Sequence, residues 1–153
     1  MKLTGRYELG ASDEIAFQLL LDSSALKACL PGCQRLEEVA PDRFEAVMKL
    51  GIPGLKGTFT GKVWITDKVP PRTLTLAVEA RGPMGFVKAE ARIALRSVGT
   101  MQCEVEWSGD VYVTGPIAAV GERIISGAAT MMTKQFFDAM QQRLAPPHPG
   151  SAP

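Results

Sequence analysis

Polar and apolar residues alternate one by one along most of this chain. In residues 2–9, Leu3, Gly5, Tyr7 and Leu9 fall on one side, and charged or hydroxyl side chains fall on the other. A period of two predicts a β-strand that has one buried face and one face in water. Seven runs are predicted strands: 2–9, 33–39, 43–50, 58–67, 73–80, 86–95 and 101–113. Because turn residues separate strands that follow one another directly, the pattern favours an antiparallel meander.

Helical periods occur in two places. Residues 12–21, with Ser12 as the N-cap, and residues 22–28 are predicted short helices between the first two strands. In residues 116–144 the apolar positions recur every three or four residues, which predicts one long amphipathic helix. At ~1.5 Å per residue that helix is roughly 43 Å long, enough to cross the inner face of a sheet.

The order of these elements predicts an α+β fold. An amphipathic helix must bury its apolar stripe, and the inner face of the sheet is the largest apolar surface that the sequence offers. We therefore expect a curved antiparallel sheet wrapped around the C-terminal helix, as a single domain over residues 1–144. The proline-rich residues 145–153 cannot continue the helix and are expected to be disordered.

Composition narrows the class of protein. The chain has 153 residues, 46% of them hydrophobic and 22% charged, and its net charge of +1 gives no reason to expect a nucleic-acid partner. Three cysteines without a secretion signal indicate reduced thiols and a cytoplasmic protein, peripheral to the inner membrane at most.

The residue types favour binding over catalysis. The single histidine, His148, lies in the proline-rich tail, so a histidine-based nucleophilic or metal site is not expected in the folded part. Glu104, Glu106 and Asp110 alternate on the polar side of a strand, where a solvated face is the simpler interpretation. We expect no catalytic residues, no metal ligands and no covalently attached cofactor.

Small residues on the predicted inner face indicate an apolar hollow. Gly61, Ala80, Ala89, Ala91 and Gly109 would face further small residues of the helix and leave room for a ligand, unless large neighbours fill the space and give a solid core. Ten side chains are the predicted lining: Phe59, Val63, Leu76, Ala89, Trp107, Ile124, Ala128, Met131, Met132 and Phe136.

Access and polar recognition are harder to predict. The glycine-containing loops 51–57 and 82–85 are the predicted mouth of the hollow. Thr58, Thr60 and Trp107 are candidate hydrogen-bond donors to a ligand headgroup.

Five segments carry a resemblance to a known family: Met1-Lys-Leu-Thr-Gly5, Ala28-Cys-Leu-Pro-Gly-Cys33, Glu37-Glu38-Val39, Gly51-Ile-Pro-Gly-Leu-Lys-Gly57 and Gln135-Phe-Phe137. In this order, over about residues 1–144, the sequence resembles the CoxG family of carbon monoxide dehydrogenase proteins, within the SRPBCC, or START-like, superfamily. The resemblance implies a helix-grip fold, of the START and Bet v1 kind, and a non-catalytic accessory protein. It further implies a quinone-like or lipid ligand, and partners among molybdenum hydroxylase subunits at the inner membrane surface.

Two alternatives remain open on the residues alone. START-like folds also include cyclases and hydrolases that act on apolar substrates, and a buried acid or tyrosine in the hollow would favour an enzyme. A docking module with a solid core is the other alternative, and a homodimer is compatible with either.

Overall fold

The computed structural model describes residues 1–52 and 55–144 and contains seven strands and three α-helices. The strands are β1 (Lys2–Leu9), β2 (Cys33–Ala40), β3 (Arg43–Leu50), β4 (Gly57–Val69), β5 (Thr73–Gly82), β6 (Gly85–Gly99) and β7 (Gln102–Thr114). The helices are α1 (Asp13–Leu19), α2 (Ser23–Cys29) and α3 (Glu122–Leu144), and a 3₁₀ segment, Pro116–Val120, precedes α3. The prediction for residues 145–153 lies outside the described residues.

The strands form one antiparallel sheet in the order β1-β7-β6-β5-β4-β3-β2. Strands β2 to β7 are a meander, as predicted, and β1 closes the far side by pairing with β7. The sheet remains open, so β1 and β2 are its two edges.

The predicted caps of the short helices are confirmed. The Ser12 hydroxyl accepts a hydrogen bond from the Ile15 amide, and the Asp22 carboxylate accepts one from the Ser24 amide. Both caps satisfy amides that have no partner inside the first helical turn. Helix α1 therefore lies beside β6 and β7, and α2 lies beside β2 and α3.

The last helix is shorter than predicted. Residues 116–120 are a separate 3₁₀ segment, and the α-helix begins at Glu122. Gly121 has φ +92° and ψ 157°, which is incompatible with an α-helix, so the chain changes direction between the two parts. This break shifts the phase of the helix relative to the period that the sequence suggested.

Two separate clusters of buried residues hold the helices on the inner face. The larger cluster joins the ends of β6 and β7 to all three helices and includes Leu9, Phe17, Val105, Phe137 and Met140. The smaller one, at the opposite end of the sheet, consists of Leu55, Ile117 and Ala128 with half-buried neighbours. The structure thus has its solid core at the two ends of the inner face rather than along its whole length.

Candidate functional site

A band of small apolar residues lies between the two buried clusters. Register places Gly61 opposite Ala80, Val63 opposite Val78, Ala89 opposite Val111 and Ala91 opposite Gly109, all on the inner face. Five of these residues are half-buried and belong to neither cluster; we call them the central band: Val78, Ala80, Ala89, Ala91 and Val111.

The helix stands away from the central band. Helix α3 makes its main backbone approaches to α2, β1 and the 3₁₀ segment, at the sides and end of the sheet rather than over β5 and β6. Since the band carries only alanine and valine, its side chains do not reach far towards the helix. Apolar side chains on the inner face therefore keep partial exposure, which is typical of a surface that a ligand covers.

Most of the ten predicted lining residues reach this region. On the sheet, Phe59 is buried, and four others are half-buried on the inner face: Val63, Leu76, Ala89 and Trp107. On the helix, Ala128 is buried, and Met132 and Phe136 are half-buried.

The structure does not bring Ile124 and Met131 to the inner face. They are 43% and 40% exposed, whereas the adjacent Ile125 is buried. The prediction extended one helical period from Pro116 through the whole segment, and the break at Gly121 changes that phase. Ile125, which the sequence pattern did not select, takes the inward position.

Two aromatic side chains lie over glycines of neighbouring strands. A Cβ atom added to Gly82 would meet the Phe59 ring at 2.6 Å, and one added to Gly5 would overlap the Trp107 indole. Both rings can lie flat along the inner face because these glycines lack side chains. Tyr7, which the sequence analysis did not select, stacks on Phe137 with ring centroids 5.1 Å apart and extends the aromatic wall along β1.

The predicted mouth loops meet at one end of the sheet. Gly57 lies against Pro83, and Gly85 lies against Gly115 at the start of the 3₁₀ segment. Leu55 and Ile117 are buried there and close this end of the inner face. Pro53 and Gly54, which were part of the predicted mouth, lie outside the described residues.

Polar groups are mostly on the outer face. Thr58 and Thr60, two of the predicted headgroup donors, are exposed on the outer face of β4, so only Trp107 of the three lies on the inner face. Two outer grooves of about 440 and 420 Å³ are bordered by charged side chains such as Arg92, Glu106 and Lys62. Neither groove contains a residue of the central band.

The buried carboxylate Glu104 is also on the outer face. It is 6% exposed, accepts a hydrogen bond from Arg96 at 2.9 Å, and lies 3.6 Å from Arg6. The hydrogen bond from Arg96 is the main cause that lowers the pKa of Glu104 below its ordinary value. Glu104 is therefore ionised at neutral pH and is not an acid placed in the hollow.

The cysteines are free thiols. Burial raises the pKa of Cys29, Cys33 and Cys103, which keeps them protonated at neutral pH. In the described part of the chain, the histidine, cysteine and acidic side chains do not come together in groups of three that could hold a metal ion. Within residues 1–52 and 55–144, none of the helices has the length and apolar character needed to cross a bilayer.

Comparison with known proteins identifies the family. The family model of CoxG, a subunit of carbon monoxide dehydrogenase, matches residues 5–145. The chain belongs to the CoxG family. A conserved protein from Geobacillus kaustophilus is 31% identical, with a TM-score of 0.90 over 94% of both chains. No curated protein matches the sequence.

More distant structures share the fold of this CoxG chain. A START superfamily protein from Mycobacterium smegmatis is 18% identical, with a TM-score of 0.72 over 94% of this chain and 96% of that one. The Zhui aromatase/cyclase from Streptomyces sp. R1128 is 11% identical, with a TM-score of 0.69 over 94% and 92%. These likenesses confirm the helix-grip, START-like fold that the sequence predicted.

Proposed function

We propose that this CoxG protein binds a long apolar molecule, such as a quinone or a lipid, between the sheet and helix α3. The observation that carries the proposal is the central band, where apolar residues of the inner face stay half-exposed between two buried clusters. A ligand that buries ~300 Å² there would gain about 7 kcal/mol before the cost of association.

The hollow favours a carrier over an enzyme. The central band consists of alanine and valine, and the buried carboxylate, Glu104, lies on the other side of the sheet with Arg96. A cyclase or hydrolase needs acid, base or polar groups against its substrate. Membership of an accessory-subunit family supports the same choice.

Tryptophan fluorescence tests ligand binding directly. Trp64 lies on the outer face of β4, so Trp64→Phe leaves Trp107 as the single reporter on the inner face. Decylubiquinone should quench Trp107 fluorescence in a saturable way, and cis-parinaric acid should compete with it. If neither molecule binds saturably, and organic extraction of the purified protein yields no quinone or lipid, the carrier function is wrong.

A matched pair of substitutions locates the site. Ala89→Leu adds three carbon atoms to the central band and should weaken decylubiquinone binding at least tenfold, which corresponds to about 1.4 kcal/mol. Ala77→Leu makes the same change on the outer face of β5 and should leave binding unchanged. Equal effects of the two substitutions would place the ligand elsewhere.

The partner of this carrier is proposed from the family alone. A CoxG protein would assist a CO dehydrogenase-type molybdenum hydroxylase at the cytoplasmic side of the inner membrane, where quinones are reduced and oxidised. Surface binding measurements between this chain and such a purified enzyme, with and without decylubiquinone, test the association. Absence of binding in both states would remove the molybdenum hydroxylase from the proposal but leave ligand binding intact.

A further inference from the structure

The two edges of the sheet differ in regularity. Strand β2 carries an extra residue at two positions, where its register with β3 shifts between Cys33 and Arg35 and between Glu38 and Ala40. Strand β1 pairs with β7 without interruption over all eight residues. It contains no proline and no bulge, which are the usual features that protect an edge strand from pairing.

The hydrogen-bonding direction of β1 follows from its first residue. The Met1 amine donates to the Val111 carbonyl at 3.0 Å, and the Val111 amide donates to the Met1 carbonyl at 2.8 Å. Hydrogen-bonded pairs alternate along an antiparallel ladder, so the odd residues of β1 bond to β7. The N–H and C=O groups of Lys2, Thr4, Arg6 and Glu8 therefore point away from the sheet, along the free edge.

The charges along this edge complement one another. Arg6 forms ion pairs with Glu104 and Glu106 of its own sheet. Lys2 and Glu8, by contrast, have no ion-pair partner among the residues that the structure describes. They stand at opposite ends of β1 on the same outer face.

We propose that β1 pairs antiparallel with β1 of a second copy of this chain, about a twofold axis at Gly5. In this register Lys2 lies opposite Glu8 of the second copy, and Thr4 lies opposite Arg6. These are the residues whose backbone groups point along the free edge, so the register satisfies both the backbone and the unpaired charges. The contact is self-complementary, as a twofold interface requires.

Neighbouring registers are less favourable. A shift of two residues in one direction places Lys2 opposite Arg6, and a shift in the other direction places Arg6 opposite itself. Like charges directly opposite each other destabilise a strand pair. A shift of a single residue would place the outer face of one sheet beside the inner face of the other.

Charge exchange on the full-length chain tests the register. Sedimentation velocity over a series of concentrations should show a monomer–dimer equilibrium. Lys2→Glu and Glu8→Lys should each raise the dissociation constant roughly tenfold or more, because every dimer contains the pair twice. The double exchange Lys2→Glu with Glu8→Lys should restore the dimer. Lys88→Glu makes the same charge change within the sheet and should have no effect.

Cross-linking locates the contact. A carbodiimide should join Lys2 to Glu8 in a mixture of isotopically light and heavy protein, with light–heavy linked peptides showing that two copies are involved. Within one strand these residues are ~20 Å apart, too far for an amide bond. A chain that stays monomeric, a dimer that is insensitive to the single exchanges, or linked peptides from other residue pairs would each overturn the proposal.

Discussion

The indole of Trp107 lies directly on Gly5, its cross-strand partner in β1. A methyl group at Gly5 would overlap the indole, which cannot move aside as a flexible side-chain end could, because it packs against the larger buried cluster. Gly5→Ala should therefore lower the free energy of unfolding by about 1–3 kcal/mol and shift the emission of Trp107.

Urea unfolding in the Trp64→Phe background measures both effects of Gly5→Ala. Gly99→Ala is the control, because the nearest atom to its added Cβ is 3.9 Å away, at ordinary contact distance. An unchanged Trp107 emission in Gly5→Ala would show that the indole does not rest on this glycine.

Two glycines near α3 should respond to alanine in opposite directions. Neither position has an atom within 4 Å of an added Cβ, so sterics are equal. Gly121 has φ +92°, where alanine is strained, and Gly121→Ala should cost about 1–3 kcal/mol. Gly127 lies inside the helix, and Gly127→Ala should stabilise by about 0.5–1 kcal/mol.

Thermal unfolding of the two variants gives the comparison. If both alanines stabilise the protein, the helix is continuous through Gly121, and the break described between the 3₁₀ segment and α3 does not exist.

Adjacent isoleucines should differ sharply in their contribution to stability. Ile125 is buried and Ile124 is 43% exposed. Ile125→Ala should lower the free energy of unfolding by about 2–4 kcal/mol, and Ile124→Ala by less than about 1 kcal/mol. Chemical denaturation of both variants checks the helix phase, which would be wrong if Ile124→Ala were the more damaging change.

Acid should weaken the protein partly through Glu104. The hydrogen bond from Arg96, with a further contribution from Arg6, lowers the pKa of this carboxylate below its ordinary value of 4.5. The folded state then binds the proton less readily than the unfolded state. The resulting stabilisation is present above the unfolded pKa and is lost as the pH falls through the folded pKa.

Glu104→Gln isolates this contribution. Its free energy of unfolding should fall less than that of the native chain as the pH is lowered from neutrality to below 4.5. Arg96→Gln, which removes the donor, should reduce the acid dependence as well. Parallel pH profiles for the native chain and Glu104→Gln would contradict the assignment.

The strands were predictable because each satisfies a single periodic rule. Strand β3 was predicted over the residues that it occupies, and the alternation in β7 placed Trp107 and Gly109 correctly on the inner face. The caps of α1 and α2 were predictable too, since Ser12 and Asp22 act on amides only two or three residues away.

The helix phase and the aromatic contacts depend on information that no local pattern contains. Ile124 and Ile125 are chemically the same, and the backbone angles of Gly121 decide which one faces the sheet. Tyr7 was visible as an apolar position of β1, but its stacking on Phe137 depends on how α3 crosses the sheet. Thr58 and Thr60 were candidates for their hydroxyl groups, although their even positions on β4 already placed them on the outer face.

The doubled residues of β2 also limit how far copies of this chain can assemble. A fibre of joined sheets requires each molecule to accept a neighbour at both ends. The two irregular positions near Cys33 and Ala40 prevent another strand from running evenly along β2, whereas β1 offers one straight side. Growth by strand addition therefore stops after a single junction, which protects a protein with an open sheet from polymerisation.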